Sequence, residues 1–235
     1  MFFVIIADKT KSISYFFMHQ NVNNLVSIQS LLKDKLKNDQ LPTIIAVSKK
    51  FKKKEILPLI NYGHKHFGEN QVQEALEKWI DIKNDFKDIR LHMIGKLQSN
   101  KVKYAVRLFD YIHSVDNFKL AEKIANEQIK SDKNIKVFIQ VNIGNEDQKN
   151  GINVENLHEF YEKCKNELKL DVIGLMCLPP LNSIDGNYFL KMRQLSDNLN
   201  LPELSMGMSN DYQDALEHGS TYIRVGSKIF GERPK

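Results

Sequence analysis

From residue 43 onward two hydrophobic patterns take turns along the chain. Short apolar, often β-branched runs stand at 43–48 (TIIAVS), 65–69 (KHFGE), 90–95 (RLHMIG), 111–115 (YIHSV), 136–143 (KVFIQVNI), 171–177 (DVIGLMC), 203–208 (ELSMGM) and 222–230 (YIRVGSKIF). Between them lie seven segments whose apolar residues recur at helical spacing: 53–63, 72–80, 100–109, 118–130, 154–165, 188–199 and 211–219. In the first of these, Pro58 must sit early in the helix or bend it.

Strict βα alternation predicts a parallel sheet. Eight strands with helical crossovers are what a closed (β/α)8 barrel needs. The last strand is followed by no helical pattern. The amphipathic segment NNLVSIQSLLKDKLK (23–37), ahead of the first strand, can fill that outer position. An open doubly wound sheet is the alternative, but it needs a glycine-rich turn after an early strand. SKKFKKKE (48–55) has none.

Composition narrows the class further. The 235 residues, 42% hydrophobic and 27% charged, are ordinary for one large α/β domain or two small ones. A net charge of +5 suits anionic ligands but makes no basic arm. Two cysteines, Cys164 and Cys177, build no disulfide framework and point to a reducing, cytoplasmic setting. The start, MFFVIIADKT, has an apolar run that Asp8 and Lys9 soon end. It is too short to span a membrane and lacks a secretory cleavage pattern. Residues 1–20 therefore read as a poorly ordered extension, with Met18 as a second candidate start and an extra edge strand as the alternative. Residues 21–235 read as a single barrel domain.

The histidines form no HExxH and there is no CxxC pair, so no metal is expected. The lysine run at 49–54 lacks interleaved aromatics, so nucleic acid is not expected either. Near a barrel mouth, those lysines can instead attract phosphorylated ligands.

In a barrel the chemistry sits at the C-terminal ends of the strands. The first strand ends in two lysines, and alternation sends them to opposite faces. Lys49 shares a face with Val47 and Ile45, and Lys50 with Ser48, Ala46 and Ile44. Both faces are apolar, so one lysine belongs at the inner mouth. There it would be partly desolvated and able to condense with an aldehyde. A solvated strand-end lysine is the bland alternative, and it fits Lys50.

After the seventh strand comes SNDYQDALEHG. Asn210 with Gln213 resembles a capping box, and Gly219 reads as a helix stop. Ser209 stands where strand hands over to helix, an anion site or simple capping. In the eighth strand Arg224 is costly unless paired. Gly226 and Ser227 follow with open backbone N–H groups. Phosphate sites in barrels commonly lie after these two strands.

A lysine amine, a buried arginine and a phosphate cradle on one barrel face suggest pyridoxal 5′-phosphate (PLP). The motifs AVSK, FGENQVQEA, HMIGKLQSNK, SVD, QVNI, KNGI, GLMCLPP, SMGMSND and RVGSKIFGER, in order between about residues 23 and 233, resemble the PLP homeostasis protein family, also called YggS/PROSC. The resemblance implies a single (β/α)8 TIM-type barrel, PLP fold type III, like the N-terminal domain of alanine racemase, with an N-terminal helix packed on the barrel. It implies PLP in a Schiff base with Lys49 and near Asn70. It implies phosphate contacts from Ser209, Gly226 and Ser227, and Arg224 facing the pyridine nitrogen.

The function it implies is intracellular PLP homeostasis: buffering PLP and delivering it to apo PLP-dependent enzymes. An arginine beside the ring nitrogen makes the ring a poor electron sink, so no catalytic residue is expected. The alternative is a PLP-dependent enzyme such as a weak amino-acid racemase. The related racemase takes a tyrosine base from a second domain, for which this sequence leaves no room. A monomer is expected, with no nucleic-acid or membrane partner. One departure is Lys228, where the family has a small residue. By strand parity it shares the face of Arg224, as an extra cation near the phosphate or a group directed to solvent.

Overall fold

The computed structural model describes residues 18–36, 41–146, 148–180 and 187–232. The expectations for residues 1–17 lie outside this range.

Eight parallel strands close into a barrel in sequence order. They are β1 (Thr43–Val47), β2 (His66–Glu69), β3 (Arg90–Met93), β4 (Tyr111–Val115), β5 (Lys136–Val141), β6 (Asp171–Cys177), β7 (Glu203–Met208) and β8 (Tyr222–Val225). The helices are α1 (Gln20–Lys35), α2 (Lys53–Asn61), α3 (Val72–Asp85), α4 (Val102–Leu108), α5 (Phe118–Ser131), α6 (Leu157–Glu162), α7 (Asn187–Asn198), α8 (Tyr212–Glu217) and α9 (Ser227–Phe230). The barrel closes where β1 pairs with β8, with Ile45 opposite Arg224.

Both faces of the strands are buried, as parallel strands require. On β1, Ile44 and Ala46 join the large core under the helices. Ile45 points the other way, into a smaller cluster with Tyr111, Phe138, Met176 and Tyr222 inside the barrel.

The N-terminal helix takes the outer position left open after β8. Val22, Leu25, Ile28 and Leu32 make its buried stripe. Its Asn24 Nδ2 donates to Ile229 O at 2.9 Å, and Asn21 Nδ2 donates to Glu55 O at 2.9 Å, tying α1 to α9 and α2.

Two expectations need correction here. The apolar run 222–230 is not one strand: β8 stops at Val225. Ile229 N and Phe230 N both donate to Gly226 O at 2.9 Å, making the single turn of α9. Ile229 and Phe230 are apolar because they pack outside the sheet, with Phe230 stacked on Phe51 at 4.8 Å between ring centroids. Strand parity therefore does not reach Lys228. Its Nζ lies 4.8 Å from the centroid of the Tyr212 ring, on the outside of α9. The second correction concerns α8. Its N-cap is Asp211 rather than Asn210, and no side chain caps the helix. The Asp211 carboxylate is used elsewhere, accepting from Met208 N.

Candidate functional site

The six residues singled out from the sequence come together. Lys49, Asn70, Ser209, Arg224, Gly226 and Ser227 line one cleft of about 330 Å³ at the C-terminal ends of the strands. Val47, Ile94, Leu178 and Met208 supply its apolar walls. The other lysine leaves: Lys50 is exposed and adopts φ +67°, a sparsely populated conformation for a side-chain-bearing residue. It lies in a separate surface depression with Lys52, Lys53 and Glu77.

The loop carrying Lys49 is anchored from below. Ser48 N donates to Gly68 O at 3.0 Å, continuing the sheet one residue past β1. Ser48 Oγ donates to Glu69 Oε1 at 2.7 Å, and Trp79 Nε1 donates to the same oxygen at 2.9 Å. Lys78, on α3, reaches in beside them. Its Nζ lies 2.8 Å from Glu69 Oε1 and 2.9 Å from Glu74 Oε1. It also donates to Ser48 O at 2.8 Å and Phe51 O at 3.1 Å, the carbonyls on either side of Lys49 and Lys50. Burial pushes the Glu69 carboxyl above its ordinary value, and the Lys78 charge pulls against that.

Sequence reasoning missed both members of this pair. The signal for Lys78 was present: it sits on the stripe of Ala75, Trp79 and Ile82, where a lysine must bury its head or leave the face.

Arg224 is 4% exposed. Nη1 donates to Ser205 O at 2.6 Å and Ser205 Oγ at 2.7 Å, and Nη2 to Cys177 O at 2.8 Å. All three acceptors are neutral, and among the described residues the guanidinium is in no ion pair. Burial lowers its proton affinity, opposed by Cys177 and Asp211. A guanidinium carries more N–H groups than these three bonds use, and Arg224 lines the cleft.

Asn70 contributes a second unmet polar atom: its Oδ1 is buried without a hydrogen bond among the described residues. Gly95 allows the Asn70 backbone its close approach, because a Cβ at 95 would come within 2.4 Å of Asn70 O. Ser209 and Gly226 join the β7 and β8 loops, with Gly226 N donating to Ser209 Oγ at 3.3 Å. The approach of α8 behind Ser209 depends on Gly207. It has φ +87°, and a Cβ there would meet Ala215 at 2.7 Å. Ser227 opens α9, and the first amides of any helix have no intrahelical acceptor.

The cleft therefore gathers a lysine amine, a buried cation without a carboxylate, an orphaned amide oxygen and loop amides on one rim. That donor set suits an anionic ligand with a carbonyl group and a ring of acceptors. Among the described residues no three His, Cys, Asp or Glu side chains are grouped to hold a metal ion. Nor is any described helix long and apolar enough to cross a membrane.

The family model for the alanine racemase N-terminal domain matches residues 23–234. The chain belongs to this family. Among curated relatives, it is 38% identical to the pyridoxal phosphate homeostasis protein of Aquifex aeolicus over 89% of this chain and 95% of that one. It is 33% identical to the protein of that name from Haemophilus influenzae, over 88% of this chain and 91% of that one. Among solved structures, PipY of Synechococcus elongatus PCC7942 with PLP bound superposes with a TM-score of 0.81 at 34% identity, covering 90% of this chain and 100% of PipY. An alanine racemase of Clostridium difficile shares the fold, with a TM-score of 0.71 at 16% identity, and this family member covers 57% of that chain.

Proposed function

We propose that this chain binds PLP in the cleft, attached at Lys49, and serves to buffer the cofactor and hand it to apo PLP-dependent enzymes. One observation carries the reading: a half-buried lysine faces the same cleft as a buried guanidinium that, among the described residues, no carboxylate pairs with. The relatives named for PLP homeostasis, and PipY with PLP bound, support it.

When bound, PLP supplies an aldehyde that condenses reversibly with a primary amine and a ring that stores carbanion electrons once its nitrogen is protonated. Lys49 Nζ is the amine at hand. Ser209 and Ser227 offer a hydroxyl and an amide to a phosphate, and Gly226, its N–H turned to Ser209 Oγ rather than open, adds no side chain to block the approach. Asn70 Oδ1 is an acceptor awaiting a donor. Arg224 has N–H donors and no acceptor, so a ring nitrogen facing it stays unprotonated. That favours holding the cofactor over turning over amino acids. The chain works as a monomer in the cytoplasm on this reading, with no nucleic-acid partner.

The test is the visible absorption spectrum of the purified protein with added PLP, followed by borohydride reduction and peptide mass mapping. The wild type should develop a visible band and carry a reduced PLP adduct on Lys49. Lys49→Ala should keep its fold and show neither. No band from the wild type in excess PLP overturns the reading, and so does an adduct at the same site in Lys49→Ala.

A further inference from the structure

Beneath the cleft the barrel is filled by a line of imidazoles. Arg224 Nη1 donates to Ser205 Oγ at 2.7 Å, and Ser205 Oγ lies 2.8 Å from His113 Nδ1. His113 Nε2 lies 2.9 Å from His92 Nδ1, and His92 Nε2 lies 3.0 Å from His66 Nδ1. The line runs from the cleft through β7, β4 and β3 to the first residue of β2, at the opposite rim. Ser205, His113 and His92 are fully buried, and His66 is half-buried. Aromatic rings hold the imidazole planes: His113 stacks on Phe138 and His92 on Tyr111, each at 4.2 Å between centroids.

The proton positions follow from one end. Arginine only donates, so Ser205 Oγ spends a lone pair on Nη1. Its own proton then points to His113 Nδ1, which must be bare. A neutral His113 carries its proton on Nε2 and donates to His92 Nδ1. His92 repeats the pattern toward His66. The reverse direction gives buried Ser205 Oγ two donors and leaves its own proton without an acceptor among the described residues, which favours the first direction by about tenfold or more. A charged imidazole beside the Arg224 guanidinium is disfavoured by burial and by like charge.

We propose that His113, His92 and His66 are positioning residues for the cofactor cleft: a one-way relay of neutral, Nε2-protonated imidazoles that fixes Ser205 as an acceptor and so aims Arg224 at the ligand. This inference rests on the PLP reading for its consequence but not for its proton positions. Ser205 O and Cys177 O pin two edges of the guanidinium, and the Ser205 hydroxyl, oriented by the relay, holds the remaining Nη1 proton. Without the relay that hydroxyl is free to rotate. The arginine then loses its single defined orientation.

Two measurements test this. The first uses PLP-free wild-type protein labelled with 15N-histidine, near neutral pH, read by long-range proton–nitrogen correlation NMR and assigned from contacts to neighbouring protons. His113, His92 and His66 should each be neutral and protonated on Nε2. A proton on Nδ1 of His113 or His92, or an imidazolium at either, overturns the relay whether or not PLP binds.

The second compares His113→Phe with His113→Gln in PLP release and in the visible band of the loaded protein. Phenylalanine keeps the stack on Phe138 and removes both hydrogen bonds. It should speed release by about tenfold and shift the band, while Lys49 is still labelled on reduction. Glutamine offers an acceptor and a donor, and should restore most of both properties. Release and band unchanged in His113→Phe overturn the positioning role. A wild type that takes up no PLP overturns the PLP reading and the positioning role with it, leaving the proton positions to the NMR result. Should His113→Phe fail to fold, His66→Leu at the half-buried end tests the same shift, and an unchanged band there also counts against the role.

Discussion

Replacing Lys78 by methionine tests how the Lys49 loop is held. Methionine fills nearly the same volume, so the change isolates charge and hydrogen bonds. Lys78 and Glu69 have side chains 7% and 0% exposed and lie 2.8 Å apart. Removing one partner of a buried pair leaves the other charge uncompensated, at a cost of about 3–5 kcal/mol. Glu69 would keep Ser48 Oγ and Trp79 Nε1 as donors to Oε1, but its Oε2 is already buried without a partner. Protonation limits the cost. Burial raises the Glu69 carboxyl, and Lys78 opposes that rise, so without Lys78 the folded-state value climbs further above the unfolded one. A raised value means the stability is present at acid pH and lost as pH rises through the folded-state value. Lys78→Met should therefore be most damaging at neutral and alkaline pH and milder near pH 5.

Lys78→Met with Glu69→Gln should recover about 2 kcal/mol or more, because an amide oxygen can still accept from Ser48 and Trp79. Urea unfolding of wild type, both single variants and the double variant gives the cycle. Ser48 O and Phe51 O also lose their donor, so Lys78→Met should form the Lys49 adduct more slowly even where it is folded. A loss under about 1 kcal/mol in Lys78→Met, or a double variant no more stable than that single one, would refute the reasoning.

The histidines set the response to acid. Burial lowers His64 and His66 from 6.5 to about 4, with Arg90 adding to the effect at His66, and it also holds His92 and His113 well below their ordinary value. A depressed folded-state value gives stability that is complete above the unfolded value and lost as pH falls, so the unfolding free energy from urea titration should drop steadily between pH 6.5 and 4, by up to about 3 kcal/mol for each of His64 and His66. A flat profile across that window would count against the neutral interior. Holding without turnover makes a separate claim. PLP-loaded protein incubated with a panel of amino acids in heavy water should exchange no α-hydrogen, and Lys49-dependent exchange of any one of them would make the chain an enzyme.

The barrel was readable because its signal is redundant. Each βα unit repeats the switch from short apolar run to helical spacing, so a misplaced boundary in one leaves the count at eight. The cleft was readable for a related reason: side chains at strand ends share one face once the barrel closes, and Lys49, Ser209, Arg224 and Gly226 all sit at or just past such ends. What escaped reading needs contacts across the barrel. YIRVGSKIF looks like a strand throughout, and the turn of its second half into α9 goes with a long-range contact, Phe230 stacked on Phe51. His113 and Ser205 are 92 residues apart, and no local pattern announces that their side chains touch. Lys78 could be seen to lie on a buried stripe, but the carboxylate it would find there could not.

The pairing of Arg224 explains why the site retains charge to offer a ligand. In an apolar strand, a cation is expected to demand a carboxylate. One at contact distance would have cancelled most of its field at the cleft, since opposite charges about 4 Å apart attract by about 4 kcal/mol even at an effective dielectric near 20. Here the partners are the carbonyls of Ser205 and Cys177 and the Ser205 hydroxyl. They satisfy geometry without cancelling charge. The histidines serve the same end. A carboxylate below Ser205 would have oriented it equally well, but would have placed a negative charge behind the guanidinium. Neutral imidazoles orient the hydroxyl and carry no charge of their own. The protein tolerates a buried cation held by neutral acceptors at the end of β8, and on the proposed reading an anionic ligand in the cleft completes the compensation. Ligand binding should accordingly stabilise the fold through Arg224 as well as through Lys49.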